Sequence, residues 1–260
     1  MSKFDLSFSQ PLMNAAGALG FVPDPYGPID LSPFGAFITN PISREVRTPA
    51  HGKRVFPFPG GFLLHTGYPN PGVKAALRRY ATQWVHSSLP VIVHLLPGRV
   101  EETAEMVSLL ERVEGLLAVE VGLPPEVDAT AAAAFASAAC GELPVIVRLP
   151  FEHPLELARA VAKVDIAAVS LAPLRGAAQN PPGNLAHGRL YGPALFPQAL
   201  EAVYAIAQAG IPVIGAGGVF FQEHVDAMLS AGALAVQVDS VLWRGGWEKS
   251  RESLAARQVL

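Results

Sequence analysis

Short runs of apolar residues, rich in Val, Ile and Ala, recur along the 260-residue chain at nearly even spacing. There are eight of them, at 11–17, 35–40, 90–96, 116–122, 143–150, 166–172, 212–218 and 234–240. A run that is apolar at almost every position is typical of a strand buried on both faces, as in a parallel sheet covered by helices. The chain is therefore expected to form an α/β fold on a parallel sheet.

Segments of helical length separate most of these runs. Apolar residues recur in them at three- and four-residue spacing, and several begin with Pro or an acidic residue. These segments are 73–86, 100–113, 127–140, 154–164, 196–209 and 222–231, whereas 21–33 is rich in proline and has room only for a short helix. Eight strands alternating with helices in about 250 residues predict a closed TIM (β/α)₈ barrel. No linker divides the chain, so we expect one domain over residues 1–260.

The charge and cysteine content narrow the classes of partner. The net charge is −3 and the two signs are interspersed, so no basic stripe offers a surface for nucleic acid or anionic lipid. A single cysteine, Cys140, excludes an internal disulfide framework and agrees with a reducing compartment. No stretch approaches the ~20 apolar residues of a membrane span, and no residues have metal-ligand spacing. We expect a cytoplasmic protein that binds a small molecule, and assembly as a homodimer stays open.

Glycines close the seventh run. Active sites of this fold lie at the C-terminal ends of the strands, and the ends of the last two strands commonly hold a phosphate on backbone amides. Gly217 and Gly218 end the seventh run and Ser240 ends the eighth, which predicts a phosphate site there. A tight turn alone would also explain the two glycines. Asp239 opposes the site, because a carboxylate repels a phosphate unless it turns away.

Polar residues inside the runs indicate what faces the barrel interior. Arg148 shares one strand face with Ile146, and an arginine directed at the surrounding helices would place its charge in an apolar layer. We therefore expect Arg148 to point into the mouth of the barrel. Glu120 and Gln237 fall mid-strand and are expected to form a polar layer that pairs with Arg148.

Several segments together resemble a known family. They are MNAAG at 13–17, NPISRE at 40–45, GGFLLHTGYPNPG at 60–72, LYGPA at 190–194, IGAGGV at 214–219 and VQVDS at 236–240. In this order they are similar to the flavin-dependent dihydroorotate dehydrogenases, and the similarity runs from Leu12 to Leu242. The resemblance implies a barrel that binds flavin mononucleotide (FMN) and oxidises dihydroorotate to orotate in pyrimidine synthesis.

The resemblance also implies which residues bind. The flavin contacts carried over are Ala15, Ala16, Gly17, Asn40, His94, Arg148 and Gly192, and the flavin phosphate would lie at Gly217, Gly218 and Ser240. In the GYPNPG segment, Asn70 is the candidate for substrate binding. His94 ends the third run, where it would either face the cofactor or cap the strand on a backbone carbonyl.

Other positions depart from the family. Asn40 and Arg148 stand where the family has lysines, and Leu64 and Pro173 where it has substrate-binding asparagines. The Ser or Cys general base is absent, because the segment after the fourth run reads Gly-Leu-Pro-Pro-Glu and proline cannot accept a proton. The sequence thus leaves two alternatives: an FMN oxidoreductase with an altered substrate, or a catalytically silent barrel that binds FMN or another phosphorylated small molecule.

Overall fold

The eight apolar runs form a closed barrel of parallel strands in a computed structural model, which describes residues 6–180 and 183–244. In chain order the strands are β1 (Leu12–Asn14), β2 (Phe34–Ile38), β3 (Val55–Phe58), β4 (Gly61–Leu64), β5 (Val91–Leu95), β6 (Leu116–Gly122), β7 (Val145–Leu149), β8 (Ala168–Leu171), β9 (Arg175–Asn180), β10 (Asn184–Tyr191), β11 (Val213–Ala216) and β12 (Ala235–Val238). The barrel runs β1-β12-β11-β8-β7-β6-β5-β2 and closes because β1 pairs with both β12 and β2. The predicted fold class is confirmed.

Helices lie between most of these strands, as the spacing of apolar residues predicted. They are α1 (Val73–Val85), α2 (Val100–Leu110), α3 (Ala129–Ala139), α4 (Pro154–Val161), α5 (Phe196–Gln208) and α6 (Gln222–Ser230), with short 3₁₀ turns at Pro193–Leu195 and Leu242–Arg244. The proline-rich segment 21–33 contains no helix. Each helix buries one apolar face, and in α5 this face includes Ala199, Val203 and Ile206. None of the described helices is long and apolar enough to cross a membrane.

The barrel interior alternates large and small side chains. Its apolar members are Met13, Ala36, Ile38, Ile92, Ala118, Ile146, Ala168, Ile214 and Ala235, all buried. Successive strand residues point to opposite faces, so the same strands present their other side chains to the helices. The apolar layer fills the barrel below the polar residues that follow it on β5, β6, β7, β8 and β12.

A second, antiparallel sheet was not predicted. Its order is β3-β4-β10-β9, so it joins the segment after β2 to the segment after β8. The sequence reads as a loop there because Pro57 interrupts the run at 55–58 and glycines follow it. Pro57 is tolerated because β3 is an edge strand, where a missing N–H costs no ladder bond. This sheet lies over the C-terminal ends of the barrel strands and forms one wall of the cavity described below.

A substitution at Gly35 tests how closely β2 packs against the segment that leads into β1. A Cβ built on Gly35 would clash with the backbone of Gln10, on the segment that leads into β1. We expect Gly35→Ala to lower the free energy of unfolding by about 1–3 kcal/mol or more, since neither backbone can give way. The measurement is a denaturant titration. Gly98→Ala is the control, because its added Cβ meets only the flexible end of Glu102, and equal stability of the two variants would contradict the packing argument.

Candidate active site at the mouth of the barrel

A buried carboxylate organises the polar layer of the barrel. Glu120 on β6 is fully buried, and its Oε1 accepts hydrogen bonds from Ser170 Oγ and Gln237 Nε2, each at 2.7 Å. Its Oε2 lies 2.6 Å from His94 Nδ1 and 3.8 Å from an Arg148 terminal nitrogen. The polar layer expected from the sequence is therefore present, and it joins β5, β6, β7, β8 and β12.

Arg148 points into the barrel, as strand alternation predicted. Its guanidinium lies beside Glu120, and its Nε donates to the Leu171 carbonyl at 3.3 Å. The side chain is buried at the C-terminal end of β7, where strand register places it opposite Ser170. Because Arg148 neutralises a buried carboxylate, it supports the fold as well as offering positive charge to the mouth of the barrel.

His94 is hydrogen-bonded to a buried carboxylate, and its contact with the cofactor stays a prediction. Its Nδ1 bonds the Glu120 carboxylate rather than a backbone carbonyl. Burial lowers the pKa of His94, although its bond to Glu120 opposes this, so the ring is neutral and donates from Nδ1. Burial alone would raise the pKa of Glu120, but the His94 hydrogen bond and the charge of Arg148 outweigh it and lower that pKa to about 2. The pair is thus a neutral imidazole on an ionised carboxylate.

Stability should fall as the pH drops below the usual pKa of histidine, near 6.5. With the folded pKa of His94 depressed, the unfolded chain binds more protons in this range, and a full proton difference costs about 1.4 kcal/mol for each pH unit. We expect His94→Gln, which keeps a donor to Glu120, to flatten the melting temperature between pH 7 and 5. His51→Gln, on an exposed loop, is the control. A wild-type pH profile in His94→Gln would contradict the assignment.

The expected phosphate end is closely packed. A Cβ on Gly218 would clash with the backbone at Phe196, and one on Gly217 would lie 3.0 Å from Ala199, so both glycines let α5 approach. Both have positive φ, 107° and 66°. The Asp239 carboxylate accepts from the backbone N–H and the hydroxyl of Ser240. Burial raises the pKa of Asp239, while the Ser240 bonds oppose that rise. The Ser240 amide predicted to hold a phosphate thus already holds a carboxylate.

The first two strand ends border a cavity of about 140 Å³. Ala16, Gly17 and Asn40 line it together with Tyr191 and Trp243. The Asn40 side chain accepts from the Gly20 N–H at 3.1 Å, which fixes the loop after β1. Ala15 is buried, and its N–H bonds the Val238 carbonyl of the neighbouring strand.

Gly192 and Asn70 have structural roles. A Cβ on Gly192 would clash with the Gly60 carbonyl, so this glycine lets β10 meet the turn between β3 and β4. Both polar atoms of the Asn70 side chain are engaged within its loop, with Ser43, Gly72 and the Tyr68 carbonyl. Substrate binding by Asn70 stays a prediction.

A larger cavity of about 460 Å³ lies between the strand-end loops and the second sheet. This volume is in the usual range of ligand sites, roughly 300–1,000 Å³. Three of the residues that depart from the family pattern, Leu64, Pro124 and Pro173, meet in its wall. The two cavities adjoin, because Leu64, Thr66, Tyr68 and Arg189 line both.

Sequence reasoning missed three residues of this region. The buried ring of Tyr191 packs against Phe62 and Trp243. Burial raises the pKa of Tyr191, the charge of Asp239 also raises it, and the charges of Arg189 and Arg148 with a hydrogen bond from Arg189 lower it. The available signal was its position in the LYGPA segment that resembles the family. Arg189 and Trp243 gave none, because their positions depend on the unpredicted sheet and on a turn after the last strand.

With the geometry established, comparison with known proteins identifies the family. The family model for dihydroorotate dehydrogenase matches residues 2–252. This chain belongs to the dihydroorotate dehydrogenase family. The resemblance inferred from the motifs is thereby confirmed.

Curated relatives cover nearly the whole chain. A catalytic subunit of dihydroorotate dehydrogenase B (NAD(+)) from Desulforudis audaxviator is 30% identical over 90% of this chain and 83% of its own length. The corresponding subunit from Geotalea uraniireducens is 32% identical over 92% of this chain and 87% of its own length. A crystal structure of the Eimeria tenella dihydroorotate dehydrogenase with ferulenol has a TM-score of 0.69 at 15% identity, covering 93% of this chain and 78% of that one. That likeness supports the barrel fold.

Proposed function

We propose that this chain is an FMN-dependent oxidoreductase of the dihydroorotate dehydrogenase type, which acts on a CH–CH bond of a small molecule other than dihydroorotate. The observation that carries the proposal is Arg148, a buried cation directed into the mouth of a barrel that matches the family over almost its full length. A cytoplasmic location remains a prediction from the single cysteine.

The residues present fit the ring end of FMN. Ala16, Gly17 and Asn40 line the smaller cavity, and Arg148 supplies positive charge behind Tyr191. The phosphate end also has the required glycines, but the phosphate must displace the Asp239 carboxylate from the Ser240 amide. Protonation of Asp239 would remove the repulsion, and the raised pKa favours it.

The chain would contribute binding and orientation, and the flavin would supply the hydride acceptor. Arg148 would hold positive charge at the pyrimidine edge of the ring, in the place of the family's lysine. The second sheet would exclude water from the larger cavity. The loop after β6 offers Pro124 and Pro125 to the substrate, and neither can accept a proton.

FMN binding at the predicted phosphate end can be tested through Asp239. We expect Asp239→Gly, which frees the Ser240 amide and removes the charge, to tighten FMN binding by more than tenfold, and Asp239→Asn to give an intermediate gain. Quenching of flavin fluorescence on titration measures the affinity, and a yellow purified protein would show binding directly. Asp226→Asn, exposed on α6, is the control. Equal affinity in all four proteins would place the phosphate elsewhere.

Dihydroorotate should be a poor substrate even for the FMN-loaded protein. A positioned general base typically contributes about 10²–10⁴-fold to the rate. In the loop after β6 the cavity is lined by Pro124 and Pro125, whereas Glu126 is exposed and lies outside that lining. Leu64 and Pro173 also leave the amide edges of dihydroorotate without hydrogen bonds. The measurement is anaerobic bleaching of the flavin by dihydroorotate. Rapid and complete bleaching would show that the chain has a base and that dihydroorotate is its substrate.

A catalytically silent relative is the second candidate. The bond from Ser240 to Asp239 favours it, because this carboxylate already satisfies the predicted phosphate site. In that case the barrel would bind a phosphorylated small molecule other than FMN, or it would bind no phosphate at the ends of the last two strands. Membership of the dihydroorotate dehydrogenase family does not support a silent relative better than it supports an oxidoreductase. A colourless protein that fails to take up FMN, even as Asp239→Gly, would favour it.

A further inference from the structure

Arg189 on β10 is a buried arginine with incomplete hydrogen bonding. Its side chain donates from one terminal nitrogen to Thr66 Oγ1 at 3.0 Å and is also hydrogen-bonded to the Tyr191 side chain. Its guanidinium lies 3.7 Å from the centre of the Tyr68 ring. The residue is only 8% exposed, and its buried Nε has no hydrogen-bond partner. An unsatisfied buried donor on a charged group is costly, so it marks a place where a partner is missing.

Among the described residues, no carboxylate is paired with Arg189. Within residues 6–180 and 183–244, no Asp or Glu oxygen lies within ion-pair distance of Arg189, whereas Arg148 lies 3.8 Å from Glu120. Buried arginines are normally paired with an anion, because a buried charge loses its hydration and an unpaired one gains no ion pair in exchange. Within the described part of the chain, Arg189 is therefore a buried cation without a carboxylate partner.

The surroundings of Arg189 open to ligand-sized space. It lines both adjoining cavities, and two more arginines, Arg47 and Arg175, stand in the wall of the larger one. Glu152 is the single carboxylate among the described residues of that wall. Most of the remaining wall is apolar, with Leu64 and five prolines. The cavity thus combines positive charge at one side with an apolar body.

Tyr68 is held in an unusual conformation beneath the guanidinium. Its φ of 54° lies in the left-handed region, which costs a non-glycine residue of order 1 kcal/mol or more. The preceding Gly67 also has positive φ, at 76°, and the Thr66 hydroxyl accepts from the Tyr68 N–H at 3.3 Å. This turn holds the aromatic ring against the Arg189 guanidinium, and the contact restricts where the guanidinium can move.

We propose that Arg189 anchors the anionic group of the ligand in the larger cavity, and that this ligand is a small apolar molecule with a carboxylate or phosphate monoester. The inference rests on the proposed function in placing the ligand in the same site, but it needs no flavin. Two N–H groups of one planar guanidinium can bind two oxygens of one anion, and Arg189 lines both cavities. Leu64 and Pro173 favour an apolar body over one with amide edges.

Calorimetric titration of the full-length protein with benzoate, phenyl phosphate and the neutral analogue benzamide tests the proposal. We expect at least one of the two anions to bind tenfold or more tightly than benzamide. Arg189→Met, which keeps the apolar stem, should remove that difference, and Arg189→Lys should keep part of it. Arg78→Met, exposed on α1, should behave as the wild type. Preference for benzoate identifies a carboxylate ligand, and preference for phenyl phosphate identifies a phosphate ester.

The melting temperature separates a binding role from a structural one. Removing an unpaired buried charge should leave the melting temperature of Arg189→Met equal to that of the wild type or higher, whereas loss of a structural ion pair would lower it. Equal affinity for benzamide and both anions, or unchanged anion affinity in Arg189→Met, would overturn the proposal. A colourless protein that still shows the Arg189-dependent preference would refute only the flavin function. A yellow protein without that preference would refute only the anion site.

Discussion

The ionised carboxylate of Glu120, enclosed at the centre of the barrel, determines how the polar residues above the apolar layer are arranged. A charge so deeply buried is stable only when it is paired and hydrogen-bonded. Ser170, Gln237, His94 and Arg148 meet that demand from four different strands. The orientation of Arg148, and with it the positive charge at the mouth of the barrel, follows from the need to satisfy Glu120.

The mouth holds charges that are not matched to one another. Arg148 has a carboxylate partner. Among the described residues, the Asp239 carboxylate is hydrogen-bonded by Ser240, and Arg189 contacts the hydroxyls of Thr66 and Tyr191 and the ring of Tyr68. The charges of Arg148, Asp239 and Arg189 all act on the pKa of Tyr191. If this region served stability alone, we would expect Asp239 and Arg189 to form an ion pair. Their separation instead suits a site in which a bound ligand replaces the internal contacts of these side chains.

The barrel was predicted well from the sequence, because each buried strand corresponds to one continuous apolar run and each helix to one amphipathic segment. Strand alternation was also enough to direct Arg148 inward. The second sheet was missed, since β3 contains Pro57 and β4 pairs with β10, a strand more than 100 residues further along the chain. Arg189 could not be recognised for the same reason. Its burial depends on the pairing of β10 with β4, which no local pattern records.

Pairing of β4 with β10 makes the covering wall of the cavity a single unit. Leu64 lies opposite Arg189 in the register of these two strands, so the apolar side chain and the cation are adjacent on one sheet. The barrel strands below contribute none of these hydrogen bonds. Substitutions in β4 and β10 can therefore alter which ligand the cavity binds, while the packing of the barrel stays the same. Since Leu64 and Arg189 are neighbours across this pairing, a change in one strand alters the surroundings of the other, and ligand preference depends on two segments that are distant in sequence.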